Sequence, residues 1–163
     1  NFDIEYVVED SPLGTGGGIQ LAIKKATEGN VIVLNGDTMF QVDLKELIQK
    51  HKKDYSAEIT IALKELKDFN RYGAVTTNTN NVITAFEEKK HIDKGLINGG
   101  IYVVDRKAFL NRSLPEKFSF ERDYLEAFVN EEKFYGFTSD KYFIDIGIPS
   151  DYRKAEKDFQ ELI

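Results

Sequence analysis

The sequence has no cysteine and no tryptophan, and only one methionine and three prolines in 163 residues. Without cysteine there is no disulfide and no thiolate metal site, so a bound metal would have to be held by other donors. No apolar run approaches the length of a membrane span. The first residues do not show a charged segment followed by an apolar one, so no secretory signal is visible, and the expected location is the cytoplasm. Positive charge is in deficit: 22 Lys and Arg stand against 28 Asp and Glu, a net charge of −6. That excludes a nucleic-acid backbone as the natural partner, which needs clustered cations. It leaves small phosphorylated ligands open, because these need only a few local cations or amides.

What remains is a chain with 41% hydrophobic and 12% aromatic residues, enough to bury one core and of a length that suits one domain, residues 1–163. The pattern of apolar residues predicts a short strand over 4–8. It predicts an irregular Gly-rich stretch over 11–18 and a helix over 19–26. Val31 to Leu34 is a continuous apolar run, expected to be a strand buried on both faces as in a parallel sheet. Asp43 is placed to cap a helix through about Lys53, with Leu44, Leu47 and Ile48 inward. Ala57 to Leu63 alternates as a strand does. Two runs, 74–77 and 82–86, flank Asn-Thr-Asn-Asn and read as a hairpin. Residues 96–104 form a strand broken by Gly99-Gly100. Ser119 is placed to cap a helix through about Val129, 142–146 reads as a strand, and Pro149 opens a last helix. The fold class is α/β, a Rossmann-like mixed sheet covered by helices. There is no repeat and no low-complexity tract.

Chemistry is sought at the carboxyl ends of strands, where open α/β sheets bind ligands. Glu9-Asp-Ser-Pro-Leu-Gly-Thr-Gly-Gly-Gly18 follows a strand-like run and opens a helix, a setting for close approach of an anion; the alternative is a turn without a ligand. It matches neither a Walker loop nor the dinucleotide fingerprint. Asn35-Gly36-Asp37 follows the apolar strand, where a carboxylate can hold a divalent cation that bridges phosphates or can cap a turn. Asp145 sits in an apolar stretch, where a charge needs a partner, hydrogen bonds or a metal. Paired, Asp37 and Asp145 would make an all-oxygen site that favours Mg²⁺ over Zn²⁺. Glu87-Glu88-Lys89-Lys90 is either a solvated charge run or a cation and acceptor for a sugar phosphate. Gly99 and Gly100 mark a bulge or a close ligand approach. His51 and His91 have no partner pattern and read as surface residues.

In order along the chain, EDSPLGTGGGI (9–19), VLNGDTMF (33–40), RYGAV (71–75), FEEKK (86–90), LINGGIYV (96–103), FSFERDYLE (118–126) and FIDIGIPSDY (143–152) resemble the sugar-1-phosphate nucleotidyltransferases. The nearest branch is D-glycero-α-D-manno-heptose 1-phosphate guanylyltransferase, with mannose-1-phosphate guanylyltransferase beside it. The resemblance implies the nucleotide-diphospho-sugar transferase type of fold. It also implies that the chain lacks the opening strands, a Gly-x-Gly-Thr-Arg loop and a further Lys, so that this piece alone would be inactive. It implies Mg²⁺ on Asp37 and Asp145, both catalytic with Lys89, and nucleotide contacts at Glu9, Leu13, Gly14, Thr15, Gly16 and Gly36. It implies sugar contacts at Gly73, Glu88, Asn98 and Gly99. The family has Pro where Lys90 stands, which leaves open whether Glu87 or Glu88 faces the sugar.

The implied substrates are a nucleoside triphosphate and a sugar 1-phosphate, for nucleotide-sugar supply to surface polysaccharide synthesis; a homo-oligomer is left open. A carboxylate such as Glu9 can accept both adjacent donors of guanine's pairing edge, which favours GTP. Two rivals are a GT-A glycosyltransferase and a non-catalytic nucleotide-sugar sensing domain. The first usually carries Asp-x-Asp after the apolar strand, whereas here the run is Asp37-Thr38-Met39.

Overall fold

The computed structural model describes residues 3–53 and 56–162. Its spine is β6, Ile92–Asp105, a strand of 14 residues. One edge of β6 is taken by β3 (Ile59–Phe69), antiparallel, which in turn carries β7 (Phe134–Ser139) in parallel. The other edge is shared. β1 (Asn30–Leu34) pairs with residues 101–105, and β4 (Ala74–Thr77) pairs with residues 96–97 and continues into β5 (Ile83–Phe86). Between the end of β1 and the start of β4, residues 98–100 of β6 have no neighbouring strand on that side among the described residues. The cleft described below opens there. A separate two-stranded ribbon pairs β2 (Thr38–Phe40) with β8 (Phe143–Asp145).

The mixed α/β expectation holds, but the sheet is mostly antiparallel, with β3 and β7 its parallel pair. Both faces are covered, which the alternation in β3 sorts by parity. Ile59, Ile61 and Leu63 enter one core with Tyr102, Val104, Phe109, Phe120, Tyr124 and Phe134. Ala62 enters the other with Phe40, Leu47, Ile101 and Val103. β3 is therefore buried on both faces from residue 59 to 63 rather than on one. The first core is roofed by α1 (Gly14–Lys25), α3 (Arg106–Leu110) and a π-helical stretch, Phe120–Glu126. The second is roofed by α2 (Leu44–Lys53). α4 (Pro149–Leu162) packs on β8.

Local chemistry explains the helix starts. Asp43 Oδ1 accepts from the N–H groups of Lys45 and Glu46, and Ser119 Oγ accepts from Arg122 N while Asp123 reaches back to Ser119 N, a reciprocal cap. The 78–81 turn closes on Asn78 Oδ1, which accepts from Asn80 N and Val82 N, with Asn81 left-handed at φ 62°.

Several expectations are corrected. Residues 4–8 form no strand: no strand among the described residues lies beside them, and Ile4, Tyr6 and Val8 are exposed. The β1 strand is antiparallel to β6 and half-exposed: Val31 and Val33 pack against the first core, while Ile32 and Leu34 on the other face are exposed. Leu44 is exposed. His51 is buried, its Nδ1 2.9 Å from Thr60 Oγ1 on the α2-covered face of the sheet. The helix capped by Ser119 is π-helical to Glu126 and gives way to a 3₁₀ turn at Val129–Glu131.

The glycine run is not irregular either: it becomes helical at Gly14. The reason is close packing. A Cβ on Gly17 would lie 2.5 Å from the carbonyl oxygen of Glu116 and 2.7 Å from Leu13 Cβ. Gly→Ala at an open helical position gains about 1 kcal/mol. Here the sign reverses, and Gly17→Ala is expected to cost ~1–3 kcal/mol through overpacking, read as a lowered midpoint in thermal or urea unfolding.

Candidate active site

A cleft of about 660 Å³ opens over the unpaired stretch of β6. Its floor carries Asn35, Asn98 and Gly100, one rim carries Asp37, Thr38, Arg71 and Asp145, another carries Gly73, Glu87, Glu88 and Lys89, and the π-helical stretch supplies Glu121, Arg122, Leu125 and Glu126.

The ribbon joins the two carboxylates. Thr38 pairs with Asp145, and the next rung is the Ile146 N–H to Asp37 O bond at 3.0 Å, so Asp37 and Asp145 lie on neighbouring rungs. Asp145 is not buried as its apolar surroundings in sequence imply; its side chain is 26% exposed at the cleft. Gly147 N donates to its Oδ1 at 2.7 Å, and Arg71 stands 4.0 Å away. Thr38 Oγ1 donates to Asp37 Oδ1 at 3.3 Å. Among the described residues no donor holds the second oxygen of either carboxylate, and no group of three or more His, Asp or Glu gathers as a complete metal cage. Two carboxylates with open oxygens suit a cation that takes its remaining ligands from phosphates and solvent.

Asn35, Gly36 and Asp37 are docked by the bulge in β6. Asn35 N donates to Gly100 O at 2.8 Å. Gly100 is left-handed at φ +72°, and a Cβ there would lie 2.9 Å from the Asn35 amide, so only glycine suits the position. Gly99 faces away from the cleft: a Cβ on it would meet the Phe40 ring and the Ala62 carbonyl. Gly36 is exposed and does not line the cleft. Gly73 lines it, yet its want of a side chain has a structural cause as well, since a Cβ would lie 2.4 Å from Glu87 O.

The pair at residues 87–88 is sorted by its contacts. Glu87 accepts from Thr76 Oγ1 at 3.1 Å and pairs with Lys90 at 2.6 Å. Lys90 first, then Thr76, hold its carboxyl below the ordinary value. Lys90 and Thr76 thus engage Glu87, while Glu87, Glu88 and Lys89 all line the cleft.

The Gly-rich loop lies elsewhere. Glu9, Leu13, Gly14, Thr15 and Gly16 do not line the cleft. Glu9 Oε2 accepts from Leu13 N at 2.9 Å. The loop is stitched to residues 118–120: Gly16 N donates to Phe118 O, Phe118 N to Leu13 O, and Phe120 N to Thr15 Oγ1, all at 3.0 Å. It thereby fixes the start of the π-helical stretch that walls the cleft.

Sequence reasoning missed Arg71, Tyr72 and the π-helical wall. Arg71 donates to Asp151 of α4 and lies over the Tyr72 ring at 5.4 Å. Asp151 raises its pKa further. The RYGAV run held the signal, but a surface arginine beside a glycine does not announce which carboxylates it meets.

Residues 1–161 match the nucleotidyl transferase family. The chain is 52% identical over 160 residues to D-glycero-alpha-D-manno-heptose 1-phosphate guanylyltransferase of Aneurinibacillus thermoaerophilus, covering 98% of this chain and 69% of that protein. It is 43% identical over 149 residues to the protein of the same name from Campylobacter jejuni, covering 91% and 64%. Among solved structures, HddC from Yersinia pseudotuberculosis superposes with a TM-score of 0.83 at 36% identity, covering 98% of this chain and 68% of that one. The same protein complexed with GMP-PN superposes at 0.79 over 94% and 65%. The chain spans about two thirds of the length of these relatives. No helix among the described residues is long and apolar enough to cross a membrane.

Proposed function

This chain belongs to the nucleotidyl transferase family, and we propose that the protein at its natural length transfers GMP from GTP to a heptose- or mannose-type sugar 1-phosphate in the cytoplasm. The product would be a GDP-sugar for surface polysaccharide synthesis. The observation that carries the reading is the β2–β8 ribbon, which brings Asp37 and Asp145 to one cleft that Lys89 and Glu88 also line. The relatives support guanine and the sugar class by name.

In this reading an oxygen of the sugar phosphate attacks the α-phosphorus of GTP in line. A new phosphorus–oxygen bond forms, the bond from the α-phosphorus to its bridging oxygen breaks, and pyrophosphate leaves with that electron pair. No protein nucleophile is needed; catalysis is positioning and charge stabilisation. Asp37 and Asp145 would hold Mg²⁺, which when bound neutralises charge on the phosphates. Lys89 offsets the repulsion between the two phosphate-bearing substrates. Glu88 accepts hydrogen bonds from sugar hydroxyls and Asn98 donates one. The Gly-rich loop, Glu9 to Gly16 with Gly36, is the proposed nucleotide side, and Gly73 lies on the sugar side, with Gly99 acting there only through the bulge that places Asn98.

The test is pyrophosphate release by the natural-length protein with Mg²⁺, comparing GTP, UTP, dTTP and ATP against heptose 1-phosphate and mannose 1-phosphate. Turnover at least ~10-fold faster with GTP than with the other triphosphates is expected, since misplacing one guanine donor loses at least one charge-assisted hydrogen bond of about 1.5–3 kcal/mol. Calorimetric binding of a GDP-sugar with no pyrophosphate release from any pair would favour a sensing domain instead.

A further inference from the structure

Tyr102 is among the most buried of the described residues, 1% exposed, yet its hydroxyl meets Asn98, which lines the cleft. Asn98 Nδ2 donates to it at 2.9 Å, while Asn98 Oδ1 accepts from Gly100 N at 3.0 Å. Asn98 and Tyr102 are four residues apart in one strand, a separation of about 13 Å between Cα atoms in regular strand geometry. The bulge shortens it. Ile61 pairs with Tyr102 and Leu63 with Asn98, so two steps on β3 match four on β6. The extra chain is Gly99-Gly100, and Gly100 takes a φ of +72°, which glycine adopts without steric cost.

This arrangement fixes the Asn98 amide at both ends. Its oxygen is committed to Gly100 and one N–H to Tyr102, so the second N–H is what it presents to the cleft that it lines. Tyr102 is itself held: its ring packs edge-on against Phe120, with centroids 5.1 Å apart. Burial first, then the negative charges of Glu121 and Asp37, raise its pKa well above the ordinary phenol value. It stays protonated, and among the described residues its O–H has no acceptor. An amide clamped in this way offers a donor at a fixed angle without losing rotamer freedom on binding.

We propose that Tyr102 is a positioning residue for the sugar substrate: through its hydroxyl and the Gly99-Gly100 bulge it orients Asn98 so that one amide N–H is aimed at a sugar hydroxyl in the cleft. This rests on the guanylyl-transfer reading above. Tyr102 acts through Asn98, not on the reacting phosphates.

The test is steady-state kinetics of the natural-length protein with GTP and its sugar 1-phosphate. Tyr102→Phe is expected to raise KM for the sugar 1-phosphate ~5- to 20-fold, the size of one well-placed hydrogen bond, with kcat and KM for GTP changed less than about twofold. Asn98→Asp keeps an acceptor for Gly100 N but has no N–H for the cleft, and is expected to raise the same KM at least as much with an unchanged melting temperature. In an Asn98→Ala background, Tyr102→Phe should add nothing. An unchanged sugar KM in either single variant overturns the inference, as does an equal loss in KM for GTP or a multiplicative effect in the double variant. Absence of turnover by the unmutated protein fails the guanylyl-transfer reading and this one with it. An active unmutated protein with an unaltered Tyr102→Phe variant fails this one alone.

Discussion

Asp37→Ala is expected to remove turnover, by ~10³-fold or more, while leaving the protein folded. The side chain sits at the cleft, and among the described residues its one hydrogen bond is the 3.3 Å contact from Thr38 Oγ1. A contact of that length contributes well under about 1 kcal/mol. Nothing in either core depends on it, so the melting midpoint should move by no more than about 3 °C. The kinetic loss follows from electrostatics. Two triphosphate- and phosphate-bearing substrates meet in a cleft that already holds Asp145, Glu87, Glu88, Glu121 and Glu126 against Arg71, Lys89 and Arg122. Without a cation bound at the rim, that many negative charges cannot approach. Removing a single preorganised stabilising contact commonly costs 10²–10³ in rate, and losing a carboxylate that holds a metal removes more than one such contact. Asp145→Ala should match it in turnover but not in stability, because Asp145 also closes the turn onto Gly147 N at 2.7 Å and neighbours Arg71. Pyrophosphate release at saturating substrates, with thermal unfolding alongside, separates the two. Turnover of Asp37→Ala within tenfold of the unmutated protein would sink the assignment of this carboxylate to the cation.

The parts of the fold legible in the sequence were those decided within a few residues. Asp43 and Ser119 cap where their side chains can reach the next N–H groups, and Asn78 closes its turn on Asn80 and Val82. The parts that were not legible depend on what lies opposite. Residues 4–8 have strand spacing but, among the described residues, no strand beside them. His51 carries a polar side chain on the inward face of α2 because Thr60 meets it there. Gly14, Gly16 and Gly17 read as irregular until Phe118 and Glu116 are seen to occupy the space where their side chains would be. The cleft follows the same rule. Asp37 and Asp145 each fall at a strand end, which local pattern can find, but the pairing of β2 with β8 that makes them neighbours is tertiary. Arg71 is drawn into the site by Asp151 on α4, and no local signal encodes that meeting. The order of motifs along the chain carried the family; the geometry showed that Glu87 is held by Lys90 and Thr76 and that the Gly-rich loop packs on residues 118–120, outside the cleft lining.

Arg112→Ala is expected to be the most damaging single change to stability outside the apolar cores. Glu58, 3% exposed at the foot of β3, is a buried carboxylate that needs a partner. Arg112 supplies it with a fork: Nε donates to Glu58 Oε1 at 2.8 Å and a terminal nitrogen to Oε2, while the outer edge of the same guanidinium donates twice to Glu131 at 2.8 Å. Tyr124 of the π-helical stretch donates to Glu58 Oε1 at 2.8 Å, and the guanidinium lies over the Phe128 ring at 4.3 Å. The network ties β3 to α3's exit and to the π-helical stretch. Removing the cation leaves Glu58 charged and buried with only a phenol beside it, a loss of ~3–5 kcal/mol. For a chain of this size that is a fall in midpoint of roughly 6–20 °C. Arg112→Lys should recover only part of it, because a single ammonium cannot bridge both carboxylates with paired bonds. Glu58→Leu combined with Arg112→Met should recover more than Arg112→Ala, since it removes the unpaired charge instead of exposing it. The contribution of the Glu131 arm has a sign in pH. Arg112 holds the Glu131 carboxyl below its ordinary value, so this stabilisation is present at neutral pH and is lost as pH falls from the ordinary carboxylate range through the lowered one. The stability gap between the unmutated protein and Arg112→Ala, measured by urea unfolding, should therefore narrow on acidification. A gap under about 1 kcal/mol at neutral pH would show that Arg112 is not the partner that stabilises buried Glu58.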